Sequence, residues 1–170
     1  IIFIENDLLA EDWVREYAKK FKIVILHNGD KVPKLKYLEE LTNRKIYVFG
    51  TNINFVSEYI EPIPIGIENA HHKKNGDLDY YNPVKIANCK KKKNNIIFAS
   101  FAVNTKVRKD YEIILDKYKI DNTNNLSLDE YRKRLNDSYF IISPPGNGID
   151  CHRTWEAVYH KTIPVIEKKY

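Results

Sequence analysis

The residues best placed to do chemistry lie in one stretch, 143–157, which reads SPPGNGIDCHRTWEA between two apolar runs. Arg153 and Glu156 are three residues apart, so both face the same side of a helix. A guanidinium near a helix start can bind a phosphate through two hydrogen bonds, and a carboxylate can accept hydrogen bonds from a sugar diol. The pair therefore predicts a phosphate–sugar pocket, although a surface salt bridge between the two residues has the same spacing.

A strand, a loop and a helix are needed to position this pair. Residues 139–142 are aromatic and β-branched, which predicts a buried strand, and the Pro-Pro pair after it cannot donate the backbone hydrogen bonds that would continue it. Gly146 and Gly148 allow positive φ angles and a close approach of the backbone to a ligand. Asp150 is a suitable N-cap for the helix that carries Arg153.

Strand and helix signals alternate along the whole chain, which favours an α/β fold with parallel sheets. The predicted strands are residues 1–4, 22–26, 45–49, 96–101, 139–142 and 163–166, and further helices are predicted at 10–21, 32–41, 106–118 and 128–136. Residues 52–59 are predicted to form a helix or a turn. Ser127 and Glu130 have the spacing of a capping box, which predicts the start of the helix at 128–136.

This tandem pattern is best explained by two lobes. The first lobe comprises residues 1–83, the linker residues 84–94 and the second lobe residues 95–170. Ligands of open α/β sheets bind beyond the carboxyl ends of the strands, where this chain has polar loops at 27–30, 100–108 and 143–152. With 43% apolar residues the chain can bury a real core, and we expect the fold to be incomplete at its ends.

The segment 140–165, FIISPPGNGIDCHRTWEAVYHKTIPV, closely resembles the donor-site signature of exostosin-like glycosyltransferases and their bacterial and viral relatives. Residues 98–108 and 63–69 are more loosely similar to other parts of that family. The resemblance implies a GT-B arrangement of two Rossmann-like lobes, with the acceptor on the first lobe and a nucleotide-sugar held mainly by the second. It also implies no metal and no cofactor, since the nucleotide-sugar is the substrate.

The resemblance assigns roles to residues of the second lobe. It implies that Arg153 faces the diphosphate and that Glu156 holds the ribose or the donor sugar, while His152 is expected to orient the donor. Arg108 is a second candidate phosphate ligand, although it can equally be a solvated helix residue. The predicted donor-binding residues are Ser100, Asn104, Thr105, Arg108, Gly146, Asn147, Gly148, Asp150, His152, Arg153 and Glu156.

Transfer of a sugar to a hydroxyl requires a base near that hydroxyl and positive charge near the leaving phosphates. Asp30 and His27 are the leading candidates for the base because they follow a strand of the first lobe, although either can simply cap its loop. Glu68 is a third candidate. His71 and His72 have no carboxylate or cysteine at a suitable spacing, so no metal site is predicted.

The chain carries a net charge of +5, from 28 basic and 23 acidic residues. An excess of this size suits a polyanionic ligand such as a nucleotide-sugar, and also nonspecific binding to nucleic acid. The run Lys90–Lys93 has no interleaved aromatic residues and no nucleic-acid motif beside it, so it is interpreted as a solvated linker. No specific nucleic-acid partner is predicted.

The two cysteines, Cys89 and Cys151, are too few for a disulfide framework or a zinc site, which favours a reducing compartment. The chain has no run of about 18 apolar residues, so no membrane span is predicted within it. The expected location is therefore cytoplasmic or membrane-associated, with any membrane anchor outside this sequence.

Three functional hypotheses follow. The leading one is a glycosyltransferase that moves a sugar from a nucleotide-sugar to a hydroxyl of a glycan, glycolipid or polysaccharide, with inversion favoured by the resemblance. The alternative is a noncatalytic nucleotide- or glycan-binding module derived from a GT-B fold. A basic nucleic-acid-associated protein is a weaker third. Turnover separates the first two, and dependence of binding on Arg153 or on the lysine run separates both from the third.

Overall fold

The computed structural model describes residues 1–70, 76–82 and 93–168. In this part of the chain the protein is α/β, with two small parallel sheets and five α-helices, which confirms the predicted α/β class with parallel sheets. It divides into two compact units. One contains Ile1–Ile65 and Gly146–Asp150, and the other contains Gly66–Pro145 and Cys151–Lys169.

The first unit is built on a four-stranded parallel sheet with the order β1-β2-β3-β4. Parallel neighbours need a crossover connection, and helices supply it between the first three strands. The elements in chain order are β1 (Ile2–Glu5), a 3₁₀ helix (Asn6–Ala10), α1 (Asp12–Ala18), β2 (Ile23–His27), α2 (Leu35–Thr42), β3 (Tyr47–Gly50) and β4 (Ile60–Pro62).

One face of this sheet carries the core of the first unit. Leu26 and Val48 on the strands are completely buried against Leu38 and Leu41 of α2, and burial of a side chain of this size contributes roughly 1.5–3 kcal/mol. Because strand residues alternate between faces, their neighbours point the other way. On that opposite face Phe3 remains 65% exposed.

The second unit is built on a three-stranded parallel sheet with the order β5-β6-β7. Its elements in chain order are a 3₁₀ helix (Leu78–Tyr81), β5 (Asn95–Ala99), α3 (Lys106–Lys117), α4 (Leu128–Asp137), β6 (Ser138–Ile142), α5 (His152–Tyr159) and β7 (Ile163–Val165). None of the helices in the described ranges combines the length and the apolar character that a membrane span requires.

Helices cover both faces of this second sheet. On one face Phe98 and Ile141 pack against Leu135 of α4 and Ala157 of α5. On the other face a second cluster, which includes Leu115 of α3, covers Ala99 and Ile142. The strand predicted at 139–142 is therefore present, but only its second half is buried, since Tyr139 and Phe140 are exposed.

The predicted strands and helices are present, with shifts of one to three residues at their ends. Residues 52–59, predicted as a helix or a turn, contain no helix. A turn there pairs Ser57 with Ile60 and leads into β4, a strand that the sequence did not predict. The capping box is confirmed, because the Ser127 hydroxyl accepts from the Glu130 amide while the Glu130 carboxylate bonds back to Ser127. These hydrogen bonds lower the pKa of Glu130.

The boundary between the compact units falls after Ile65, whereas the sequence places the end of the first lobe at residue 83. Most of the predicted linker lies outside the described residues, which end at 82 and resume at 93. The predictions on His71, His72, Cys89 and the first three residues of the lysine run also fall outside them.

Candidate functional site

A cavity of about 750 Å³ lies in the second unit, beyond the carboxyl end of β5. The first turns of α5, the segment before α4 and a side chain of α3 complete its wall. Its size falls in the range usual for small-molecule and cofactor sites. Of the predicted donor-binding residues, the cavity brings together Ser100, Arg108, His152, Arg153 and Glu156.

Arg153 lies in the first turn of α5 and lines this cavity. Its Nη1 atom is buried and has no hydrogen-bond partner among the described residues, and no carboxylate oxygen of that part of the chain lies within 4.0 Å of its guanidinium. The guanidinium carbon is 5.9 Å from the centre of the Phe101 ring. A buried guanidinium nitrogen without a hydrogen-bond partner is costly, so the site favours a ligand that can accept from it, such as an anion.

Arg108 provides a second guanidinium in the same cavity. Its Nε atom donates to the Pro145 carbonyl at 3.0 Å, and Nη1 donates to the carbonyl of Ala102 and to Oδ1 of Asn104, both at 3.1 Å. Burial and the nearby charge of Arg153 lower the pKa of Arg108. Three bonds to fixed acceptors contradict the alternative of a freely solvated helix residue, and they hold the side chain in place while Nη2 stays available for a ligand.

The polar residues around Arg108 have structural roles. Thr105 is the N-cap of α3, and its hydroxyl accepts from the Arg108 amide at 3.2 Å. Asn104 uses its side-chain oxygen to hold the Arg108 guanidinium. Neither residue lines the cavity, whereas Ser100 does. The structure thus places Asn104 and Thr105 behind the predicted phosphate ligand instead of in direct reach of the cavity.

Glu156 is buried, with 8% of its surface exposed, and lines the cavity one turn after Arg153. Its Oε2 atom accepts from the Tyr131 hydroxyl at 2.8 Å and its Oε1 atom from the Tyr81 hydroxyl at 3.3 Å. No ion pair joins it to Arg153, so the surface salt bridge that the sequence allowed is not formed. Burial and the charge of Glu156 raise the pKa of Tyr131 well above its ordinary value and that of Tyr81 to about 12.

His152 begins α5 and connects the cavity to Glu68. Its Nδ1 atom is 2.8 Å from the carbonyl oxygen of Gly66, so Nδ1 carries a proton and donates it. Its Nε2 atom is 3.7 Å from the Glu68 carboxylate, an ion pair when the ring is protonated. Glu68 also accepts from the Asn69 amide at 3.0 Å. The hydrogen bond to Gly66 therefore fixes the ring at the cavity wall, and the Glu68 carboxylate lies beside it.

The loop at 146–150 belongs to the first unit. A Cβ atom added at Gly148 would lie 2.4–2.7 Å from side-chain atoms of Asn52, so the close approach at this glycine is to Asn52. In the described ranges Gly66 alone among the glycines has a positive φ angle, so neither Gly146 nor Gly148 uses that freedom. Gly148 is therefore needed because a larger residue would clash with Asn52 within the first unit.

Asp150 is not the N-cap of α5, because Cys151 occupies that position. The Asp150 carboxylate instead accepts from the amide of Ile65 at 2.8 Å, while its own amide donates to Oδ1 of Asn52 at 3.0 Å. The sequence prediction was wrong by one residue because Asp is a common N-cap, and the competing partner at Ile65 is 85 positions away along the chain.

The two base candidates of the first unit differ in their surroundings. Asp30 is exposed, and its carboxylate accepts from the Asn147 side chain at 3.1 Å. His27 ends β2 and packs edge-on against Phe3, with 6.1 Å between ring centres. By strand alternation His27 points away from the face that carries Leu26 and the core. Asp30 thus anchors the 146–150 loop, and His27 belongs to the exposed face of the sheet.

Two tyrosines were missed by sequence reasoning. Tyr131 lines the cavity from α4, and Tyr81 reaches Glu156 from the 3₁₀ helix at Leu78–Tyr81. Tyr131 lies one turn after the start of the capped helix, which would place it at the same end of α4 as the cavity. No signal in the sequence links Tyr81 to Glu156, because 75 positions separate them.

A buried basic layer lies behind Glu156. The Arg132 guanidinium carbon stacks 3.3 Å from the centre of the Tyr80 ring and 5.9 Å from that of Tyr81. The His160 ring packs against Tyr81 with 5.7 Å between centres, and its Nδ1 atom is 2.8 Å from Oδ1 of Asn136. These contacts hold the 3₁₀ helix against α4 and α5.

The imidazole of His160 predicts a loss of stability in acid. Burial, and then the charges of Arg132 and Lys93, lower its pKa from 6.5 to about 4. Between these two pH values the unfolded chain binds a proton that the folded chain does not, so the free energy of unfolding falls as the pH falls, by up to about 3 kcal/mol. Urea unfolding at pH 7 and pH 4.5 should show a smaller decrease for His160→Gln than for the wild type. Equal decreases would show that His160 does not titrate in this way.

In the described part of the chain, no group of three or more His, Cys, Asp or Glu side chains is arranged to hold a metal ion. No protein-family model matches the chain, and comparison with curated proteins finds no match.

Proposed function

We propose that this chain is a glycosyltransferase with an exostosin-like donor site, and that it transfers a sugar from a nucleotide-sugar to a hydroxyl of a glycan, glycolipid or polysaccharide. A GT-B arrangement of its two units is part of the proposal. One observation carries it: two guanidiniums, from Arg108 and Arg153, line one cavity of about 750 Å³, and neither forms an ion pair with a carboxylate of the described residues.

The chemistry of a diphosphate leaving group explains this arrangement. Arg153 offers an unpartnered buried nitrogen, and Arg108 is fixed by three hydrogen bonds. Guanidiniums bind phosphate oxygens through paired, charge-assisted hydrogen bonds. Their charge would bind the ground state and would also stabilise the negative charge that develops on the phosphates as the sugar leaves. In the same cavity the Glu156 carboxylate is suited to accept from the hydroxyls of the ribose or of the donor sugar.

In the inverting reaction the acceptor oxygen attacks the anomeric carbon while the bond to the diphosphate breaks. The acceptor proton passes to a base, and the electron pair of the broken bond stays on the diphosphate. Asp30, His27 and Glu68 remain the candidates for that base. Asp30 already accepts from Asn147, so it would have to exchange a present partner to accept the proton, whereas Glu68 lies 3.7 Å from Nε2 of His152.

A noncatalytic nucleotide-binding module is the second candidate. The observation that favours it is that the residues lining the cavity all belong to the second unit, and none of the three base candidates is among them. The same cationic cavity would then bind a nucleotide without turnover. Nonspecific nucleic-acid binding has weaker support, because the lysine run has no interleaved aromatic residues and no nucleic-acid motif beside it.

The test is a thermal-shift panel of UDP, GDP, ADP and their sugar conjugates, followed by product analysis with the conjugate that binds. Ligands that bind the folded state raise its apparent stability. We expect one nucleotide to give a shift and its sugar conjugate to be consumed in the presence of a glycan acceptor. A shift without consumption would select the binding module, and no shift with any of these compounds would contradict both.

A further inference from the structure

Two phenol hydroxyls hold the carboxylate of Glu156 from two different elements. Tyr131, on α4, donates to Oε2 at 2.8 Å, and Tyr81, on the 3₁₀ helix, donates to Oε1 at 3.3 Å. Both oxygens of the carboxylate are therefore fixed. Tyr131 lies at the cavity wall beside Glu156, whereas Tyr81 is 4% exposed and does not line the cavity.

This geometry leaves the carboxylate with free acceptor capacity toward the cavity. An ionised carboxylate has about four lone-pair sites. The tyrosines use one site on each oxygen, and no cation of the described part of the chain competes for the rest. Two adjacent hydroxyl donors match one free site on each oxygen. A cis-diol, such as the 2′ and 3′ hydroxyls of a ribose, has that arrangement.

Tyr81 is in turn held in place by the basic layer behind it. Arg132 stacks on the Tyr80 ring at 3.3 Å, and His160 packs on the Tyr81 ring at 5.7 Å. Because Tyr81 is buried and does not line the cavity, its hydroxyl acts on a ligand through Glu156, to which it donates. Tyr81 is thus distinguishable from residues that contact the ligand directly, whereas Tyr131 also lines the cavity.

We propose that Tyr131 and Tyr81 are positioning residues that orient Glu156 to select ligands with a free cis-diol, so that the cavity prefers ribonucleoside diphosphates over their 2′-deoxy analogues. This inference rests on the proposed function, since it requires that the two arginines bind a nucleoside diphosphate. It adds the two residues that set the sugar preference of that site.

The experiment compares dissociation constants for UDP, GDP and ADP with those for their 2′-deoxy analogues, in the wild type and in Tyr131→Phe and Tyr81→Phe. The ribo-over-deoxy ratio is the affinity for a ribonucleotide divided by that for its 2′-deoxy analogue. Each variant should lower this ratio by about threefold to tenfold, because it removes a hydrogen bond to a charged group. The change should be smaller for Tyr81→Phe, since the Tyr81 bond is longer. Affinity for the 2′-deoxy compounds and for pyrophosphate should stay within about twofold, since the arginines are untouched. Glu156→Gln should abolish the preference.

Tyr80→Phe is the matched control. It removes a hydroxyl from the residue next to Tyr81, where it contacts Asp129 at 3.4 Å, and keeps the ring that stacks on Arg132. Its ribo-over-deoxy ratio should equal that of the wild type. Nucleotide binding with a ratio that neither Tyr131→Phe nor Tyr81→Phe changes would overturn this inference and leave the proposed function standing. Failure of every nucleotide and of pyrophosphate to bind would overturn the proposed function, and this inference with it.

Discussion

Replacing Arg153 with alanine should weaken the binding of a nucleoside diphosphate by about 100-fold or more, because it removes the paired, charge-assisted hydrogen bonds of one guanidinium. The effect should be large because the Arg153 Nη1 atom is buried without a partner, so no internal contact competes for it. Folding should be little affected, since Arg153 is half-buried and the substitution also removes a buried nitrogen that has no partner among the described residues. Isothermal titration with the nucleotide selected by thermal shift measures the loss.

Arg134→Ala is the control for this substitution. Arg134 is an exposed arginine of the same unit that donates to the Thr123 hydroxyl at 3.2 Å and does not line the cavity. Its loss should change the nucleotide affinity by less than about twofold, as expected for a surface charge away from the ligand. Arg153→Lys should fall between wild type and alanine, because an amine keeps the charge and loses the paired geometry. Equal affinities for Arg153→Ala and Arg134→Ala would contradict the phosphate site.

Replacing Ile141 with alanine should lower the free energy of unfolding by about 2–5 kcal/mol, the usual cost of such a truncation in a core that cannot close around the cavity. Ile141 lies on β6, the central strand of the second sheet, and is completely buried. Its neighbours Phe98, Leu135 and Ala157 come from a strand and two helices, so no single element can move to fill the space. Urea unfolding at constant pH gives the value.

Ile163→Ala makes the same chemical change one strand away. Ile163 is on β7 and 57% exposed, so its truncation should cost less than about 1 kcal/mol. The difference between the two variants isolates the contribution of burial from that of strand propensity. Similar costs for both would mean that the cluster around Ile141 is not packed as described.

The positions of Arg153 and Glu156 could be predicted from sequence because the information is local. Apolar residues followed by Pro-Pro and two glycines specify a strand, a loop and a helix start, and the three-residue spacing then puts both side chains on one side of that helix. The capping box at Ser127 was predictable for the same reason, since both of its partners lie within one turn.

Contacts between distant segments could not be predicted in this way. From sequence, the carboxylate of Asp150 could accept from the first amides of α5 or from a distant group. The partner is the Ile65 amide, which only the folded chain brings to 2.8 Å. Thr105 and Asn104 looked like ligand donors because their side chains are polar, yet their oxygens accept from Arg108 and neither residue lines the cavity. Tyr81 contributes to the site through a bond that spans 75 positions, for which no periodicity or motif gives a signal.

The path of the chain through residues 146–150 limits how this protein can be divided. The chain leaves the second unit after Pro145, contributes five residues to the first, and returns at Cys151. Neither unit is therefore a single continuous segment, and one cut after Ile65 would not yield two complete domains. A fragment ending there would lose the Asp150 carboxylate that binds the Ile65 amide and the Asp150 amide that binds Asn52. A circular permutant or an excised fragment of the first unit would therefore have to include residues 146–150.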